Sequence, residues 1–176
     1  MRAGSVLDLE RTIELPPTIV WDALIDPDLV VGWLADAAID PRIGGRYDLT
    51  WRRDGVRRVA PGFITQLREG QLLTVDAGQH GRVSFRLAGV PGGSRGTSTR
   101  LRLQVTLGVD PEFAAQDHAD WETRLDQLEG VLRGHPVDWA NWVQDHGDDW
   151  SAYADEYKQG PRRPPPDRGS FRRQLR

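Results

Sequence analysis

The chain of 176 residues contains no cysteine. Disulfides, thiolate metal sites and cysteine nucleophiles are thereby excluded. It has a single lysine, Lys158, since 22 of its 23 basic residues are arginine; this bias reads as genome composition rather than chemistry. No run of ~18 apolar residues is present, so no membrane-spanning helix is expected. The opening Met1-Arg2-Ala3-Gly4-Ser5-Val6 lacks the apolar stretch of a secretory signal, and a cytoplasmic location is the expectation. Serine is sparse, and none of Ser5, Ser84, Ser94, Ser98, Ser151 and Ser170 lies in a G-x-S-x-G turn. No two of His80, His118, His135 and His146 stand at helical i, i+4 spacing, so no metal and no other cofactor is expected. Gly92-Gly93-Ser94-Arg95-Gly96 lacks the lysine of a phosphate loop and reads as a hairpin loop.

What is present is a polar globular composition. Hydrophobic residues make up 38% and charged residues 28%, above the disordered class. The net charge of -3 hides an asymmetry: residues 160–176 carry +5 and the rest -8. An acidic body argues against nucleic acid as a partner, because phosphate binding needs a positive surface. Residues 160–176 are dominated by Pro and Arg, cannot form a core, and read as a disordered tail.

Val6 to Leu15 reads as a first strand, ended by Pro16-Pro17. Thr18 to Ile25 reads as a short helix. Asp26-Pro27 places an N-cap before a proline at the first helical position, which predicts a second short helix to Leu34. From 36 to 107 the signals are strand and turn. Tyr47, Leu49 and Trp51 alternate with Asp48, Thr50 and Arg52, as do Val83, Phe85 and Leu87 with their neighbours. Gly62–Leu67 and Gln71–Ala77 add two more strands. Ala88 to Gly96 reads as a loop, and Leu101, Leu103, Val105 and Leu107 alternate most cleanly. Asp110-Pro111 opens a long helix ending near Gly134, with Trp121, Leu125, Leu128 and Leu132 on one stripe. Strands outnumber helices and no βαβ alternation occurs, which implies an α+β fold with an antiparallel sheet.

Residues 138–158 place Trp139, Trp142, Val143, His146, Trp150, Tyr153 and Tyr157 on one helical face, with Gly147 as a break that would leave two shorter helices. An aromatic face of that size must be covered. Either it folds back on its own chain, or Trp139, Trp142, Trp150, Tyr153 and Tyr157 form an interface with a second copy or another protein.

Three segments resemble one family. Leu15-Pro16-Pro17-Thr18-Ile19-Val20-Trp21-Asp22-Ala23-Leu24-Ile25-Asp26-Pro27 is similar to the opening motif of the activator-of-Hsp90-ATPase-homologue group, within the START-like, pollen-allergen-like (SRPBCC) superfamily. Gly44-Gly45-Arg46-Tyr47 resembles that group's glycine–glycine–arginine–aromatic turn, and the Trp121 helix resembles its C-terminal helix. The resemblance covers roughly residues 6–134. It implies a helix-grip fold: a curved antiparallel sheet, two short helices, and a long C-terminal helix that together enclose a cavity. Many superfamily members bind apolar ligands there. The chain then divides into a helix-grip domain at 1–134, an aromatic helical extension at 135–159, and the tail.

On that reading the cavity lining is Tyr47, Leu49, Trp51, Val83, Phe85, Leu87, Leu101, Leu103, Val105, Trp121, Leu125 and Leu128. Alternation establishes burial of these residues but not a void. His118 with Asp117 and Asp120 could form an acid/base cluster, although Asp in a helix's first turn is ordinary capping chemistry. Asp145-His146-Gly147-Asp148-Asp149 lacks the ligand order of a calcium loop. No residues are expected to be catalytic. The leading expectation is non-catalytic binding of a small apolar or aromatic molecule. A protein-interaction module, chaperone-associated or self-associating, is the rival. The third reading is a polyketide cyclase- or hydrolase-like enzyme in which Tyr47, Trp51 and His118 would orient substrate.

Overall fold

The computed structural model describes residues 6–53, 56–78, 81–106 and 113–160. Leu107, the Asp110-Pro111 helix opening, His80 and residues 161–176 of the tail lie outside them. The element order is β1 (Val6–Ile13), α1 (Pro17–Ile25), α2 (Pro27–Val30), β2 (Asp36–Ile39), β3 (Tyr47–Arg53), β4 (Val56–Ala60), β5 (Phe63–Arg68), β6 (Leu72–Asp76), β7 (Arg82–Pro91), β8 (Thr97–Thr106), α3 (Ala114–Leu132), a 3-10 turn at Trp139–Asn141, and α4 (Trp142–Gln159). All strand pairs are antiparallel. A five-stranded sheet runs β1-β8-β7-β6-β5 and a three-stranded sheet β2-β3-β4.

The two sheets join where the chain turns back through Gly44-Gly45 and Gly62, with an isolated bridge between Arg46 and Phe63. Gly44 sits at φ 79°, and a Cβ on Gly45 would stand 2.1 Å from the Asp40 carbonyl oxygen. Both glycines are thus dictated by the backbone, one by its left-handed φ and one by close approach.

Alternation decides which faces point inward. Val83 pairs with Val105, Phe85 with Leu103 and Leu87 with Leu101. Leu73 and Val75 continue those rows on β6. Helix α3 crosses this apolar face, placing Leu125 and Leu128, both essentially unexposed, upon it. Its 19 residues span ~28 Å. One inward position on β1 is charged. Arg11, opposite Leu101, meets Glu122 of α3, with Asp126 at 3.6 Å and Glu129 at 3.8 Å. Those carboxylates stand at i, i+4 and i+7, so one guanidinium ties the strand to two turns of helix.

Three local readings change. Helix α2 stops at Val30 instead of Leu34, and 31–34 form a turn. The carbonyls of that turn are taken by other segments instead of by a continuing helix. Val31 O accepts from Trp139 Nε1 at 2.8 Å, Gly32 O from Val137 N at 2.8 Å, and Leu34 O from Trp51 Nε1 at 3.1 Å. Strand β7 continues to Pro91, so the loop expected at 88–96 narrows to the turn at 92–96. Ladder pairing in register with Thr97–Arg100 outweighs the poor strand propensity of Ala88 and Gly89. Helix α4 runs through Gly147 without a break, because tertiary contacts with α3 on both sides of the glycine outweigh the ~1 kcal/mol propensity cost.

Candidate functional site

The inward rows do not close completely. An open cleft of about 1050 Å³ lies among β3, β4, the β6–β8 face, α3 and the start of α4. Tyr47, Leu49, Trp51, Val83, Phe85, Val105 and Trp121 line it. Leu87, Leu101, Leu103, Leu125 and Leu128, which the sequence places in the same lining, instead pack fully into the core away from it.

Two aromatic groups on the wall are tied to backbone. Tyr47 is buried and donates from its hydroxyl to Leu24 O at 2.7 Å, and Trp51 donates to Leu34 O. Trp33 is fully buried and donates to Ala23 O at 2.7 Å. Its ring meets Phe85 edge-on at 6.3 Å, and Phe85 meets Trp121 at 6.2 Å. A row of rings thus runs from the core to the cleft wall.

Burial holds the Tyr47 phenol well above the usual phenol range. Tyr153 is also raised, by burial and by its hydrogen bond to the Asp126 carboxylate at 2.6 Å. The folded protein therefore keeps protons that the unfolded chain releases near pH ~10, so stability falls as pH rises past that point. Tyr47→Phe is expected to cost about 1–2 kcal/mol at neutral pH, by leaving Leu24 O without its donor, and to flatten the alkaline loss of stability. Denaturant melts at pH 7 and 10.5 measure both; an alkaline slope unchanged by the substitution would contradict this account.

The polar side of the cleft comes from one stripe of α3: Asp117, Asp120, Thr123, Arg124 and Gln127. Arg124 lies over the Trp121 ring at 4.7 Å and the Trp51 ring at 5.8 Å. Burial lowers its affinity for the proton, against the opposing pull of Asp120 and Asp117. Asp117 is shifted upward, chiefly by burial and then by Asp120. Asp120 accepts from Trp150 Nε1 at 2.7 Å. Gln127 is buried, and the amide orientation that satisfies it donates to Trp33 O at 2.9 Å and accepts from Trp142 Nε1 at 2.6 Å.

His118 does not join Asp117 and Asp120 at the cleft. Its ring lies 5.0 Å from Tyr157, between α3 and α4, with Nε2 at 3.7 Å from Glu122. The acid/base trio considered from sequence is therefore divided between two environments. Among the described residues no three His, Cys, Asp or Glu side chains converge as metal ligands. No described helix is long and apolar enough to cross a membrane.

The extension closes one end of the cleft, which the sequence reading did not foresee. Trp139, Ala140, Trp142 and Val143 are part of its lining. The aromatic face turns onto α3 of the same chain: Trp150 bonds Asp120, Tyr153 bonds Asp126, and Tyr157 stacks on His118. Val143 departs from that face and is 71% exposed. Arg124, Thr123 and Gln127 were also absent from the expected lining. Their helical spacing from Asp117 and Asp120 was the available signal, but polar residues on a helix ordinarily read as its solvent face.

Comparison with known proteins places this geometry. The model of the family described as activator of Hsp90 ATPase homolog 1-like protein matches residues 14–133. No curated protein matches the chain. Among solved structures, a Nitrosomonas europaea protein is similar with TM-score 0.64 at 19% identity, covering 76% of this chain and 97% of its own. A Mesorhizobium loti protein has TM-score 0.61 at 23% identity, covering 76% and 100%. A conserved protein of unknown function from Enterococcus faecalis has TM-score 0.59 at 17% identity, covering 90% and 88%. At these identities the likeness is one of fold.

Proposed function

From the premise that this chain belongs to the activator of Hsp90 ATPase homolog 1-like family, a helix-grip fold family whose members commonly bind hydrophobic ligands, we propose that it binds a small apolar or aromatic molecule between its sheet and α3, without catalysis. The observation that carries this reading is the 1050 Å³ cleft walled by Leu49, Trp51, Val83, Phe85 and Trp121. Ligand pockets are typically ~300–1,000 Å³, mostly apolar, with a few polar groups to fix orientation. The aromatic walls suit a flat ring system, which gains edge and face contacts as well as burial.

The reading against catalysis rests on the polar groups. The Tyr47 hydroxyl and the Trp51 indole N–H are already committed to backbone carbonyls, and His118 lies off the cleft. Among the described residues lining the cleft, no serine or cysteine stands beside a histidine. Native mass spectrometry of protein purified from its own host is expected to retain a small molecule. Val83→Trp, which places an indole in the cleft, is expected to weaken uptake of a neutral aromatic probe, 2-naphthamide, by about tenfold or more. A protein that carries nothing and fails to take up the probe at millimolar concentration would remove the proposal.

A further inference from the structure

The cleft has one cationic group whose surroundings are unusual. Arg124 is part-buried, and among the described residues it makes no ion pair within 4 Å. Its contacts are the faces of two indoles, Trp121 and Trp51. A guanidinium stacks through its planar face, which leaves its N–H edge free to donate. Five N–H groups at the wall of an apolar cleft cost free energy unless an acceptor meets them, and a carboxylate meets two at once in a parallel fork.

The neighbouring acids do not take that role. Asp120 directs Oδ1 to Trp150 Nε1 on α4. Asp117 has an oxygen buried without a hydrogen-bond partner; burial and then Asp120 raise the pKa of its carboxyl, against the opposing pull of Arg124. Next along the helix, Thr123 is 2% exposed, lines the same cleft, and has a buried hydroxyl with no partner. Arg58, on the facing strand β4, adds a second cation to the lining. The α3 side of the cleft therefore offers the Arg124 donors, held by aromatic stacking.

We propose, resting on the cleft-binding reading above, that the ligand is an apolar or aromatic carboxylic acid whose carboxylate is bound by Arg124 at the Trp51–Trp121 wall, with its ring system along Phe85 and Val83. A singly charged, planar anion fits better than a phosphate: its shape matches the guanidinium fork, and a second negative charge would face Asp120.

The test compares two ligands of one shape, 2-naphthoate and 2-naphthamide, by calorimetric titration of the full chain. The proposal expects naphthoate to bind about tenfold or more tightly than the amide. It expects Arg124→Gln to bring the ratio to about one, and Arg124→Lys to keep part of the preference, since an ammonium retains charge without the fork. Equal affinities in the parent protein overturn the carboxylate proposal and leave cleft binding standing. A preference that survives Arg124→Gln overturns the assignment to Arg124. Binding of neither compound overturns both readings. The parent ratio decides the ligand class even if a variant does not fold.

Discussion

Trp33→Ala is expected to destabilise the protein by about 4 kcal/mol, within the ~3–5 kcal/mol range for large buried aromatics. For a chain of this length that corresponds to a fall in Tm of about 8–16 °C. The site has no means to collapse. Trp33 has 0% exposure, its indole N–H supplies the bond to Ala23 O, and its ring is the inner end of the Phe85–Trp121 row. Removing it leaves a cavity and a buried carbonyl without its donor. Trp33→Phe fills part of the space but not the hydrogen bond, and is expected to cost about half as much. Thermal melts of the three proteins give the ranking. Equal stability of Trp33→Ala and the parent would mean that the turn after α2 does not pack as described.

The double change Trp139→Ala with Trp142→Ala should have the next largest effect, about 3 kcal/mol. Both rings are only partly covered, so each loses a fraction of a full aromatic burial together with one hydrogen bond. Trp139 caps Val31 O and Trp142 bonds Gln127, which in turn bonds Trp33 O. These contacts fasten the extension to the turn after α2. Their loss should open that end of the cleft and weaken 2-naphthamide binding as well as stability. Analytical ultracentrifugation separates the two coverings of the aromatic face. Lower stability with unchanged mass follows from packing within one chain. A parent dimer that becomes a folded monomer would instead make the face an interface, and unchanged stability would mean that the rings contribute no burial.

Much of the architecture was legible because it rests on short-range rules. The period-two rows Tyr47–Leu49–Trp51 and Val83–Phe85–Leu87 lie on inward faces because side chains alternate across a strand. The Trp121–Leu125–Leu128 stripe meets the sheet because those positions share one helix face. Gly44-Gly45 marks a bend that no other residue pair fits, and Asp26 with Pro27 marks a helix start through capping and a preset φ. Family resemblance carried the helix-grip arrangement itself, which periodicity alone does not specify.

What the sequence determined by itself was therefore which positions of the strands and of α3 face inward. Only the tertiary structure decided which of them face space rather than other side chains. Leu103 and Leu49 obey the same alternation, yet one is fully buried in the core and the other borders the cleft. The same holds for charge. Arg11 and Arg124 look alike as polar interruptions of amphipathic segments. Packing brings Arg11 to Glu122, Asp126 and Glu129, and brings Arg124 to two indoles with no ion-pair partner within 4 Å among the described residues. Long-range placement, with partners more than 70 residues away in the chain for Trp51 and about 110 away for Arg11, is what local pattern cannot encode. The free energy of a charged group depends on those distant neighbours as well as on its own segment.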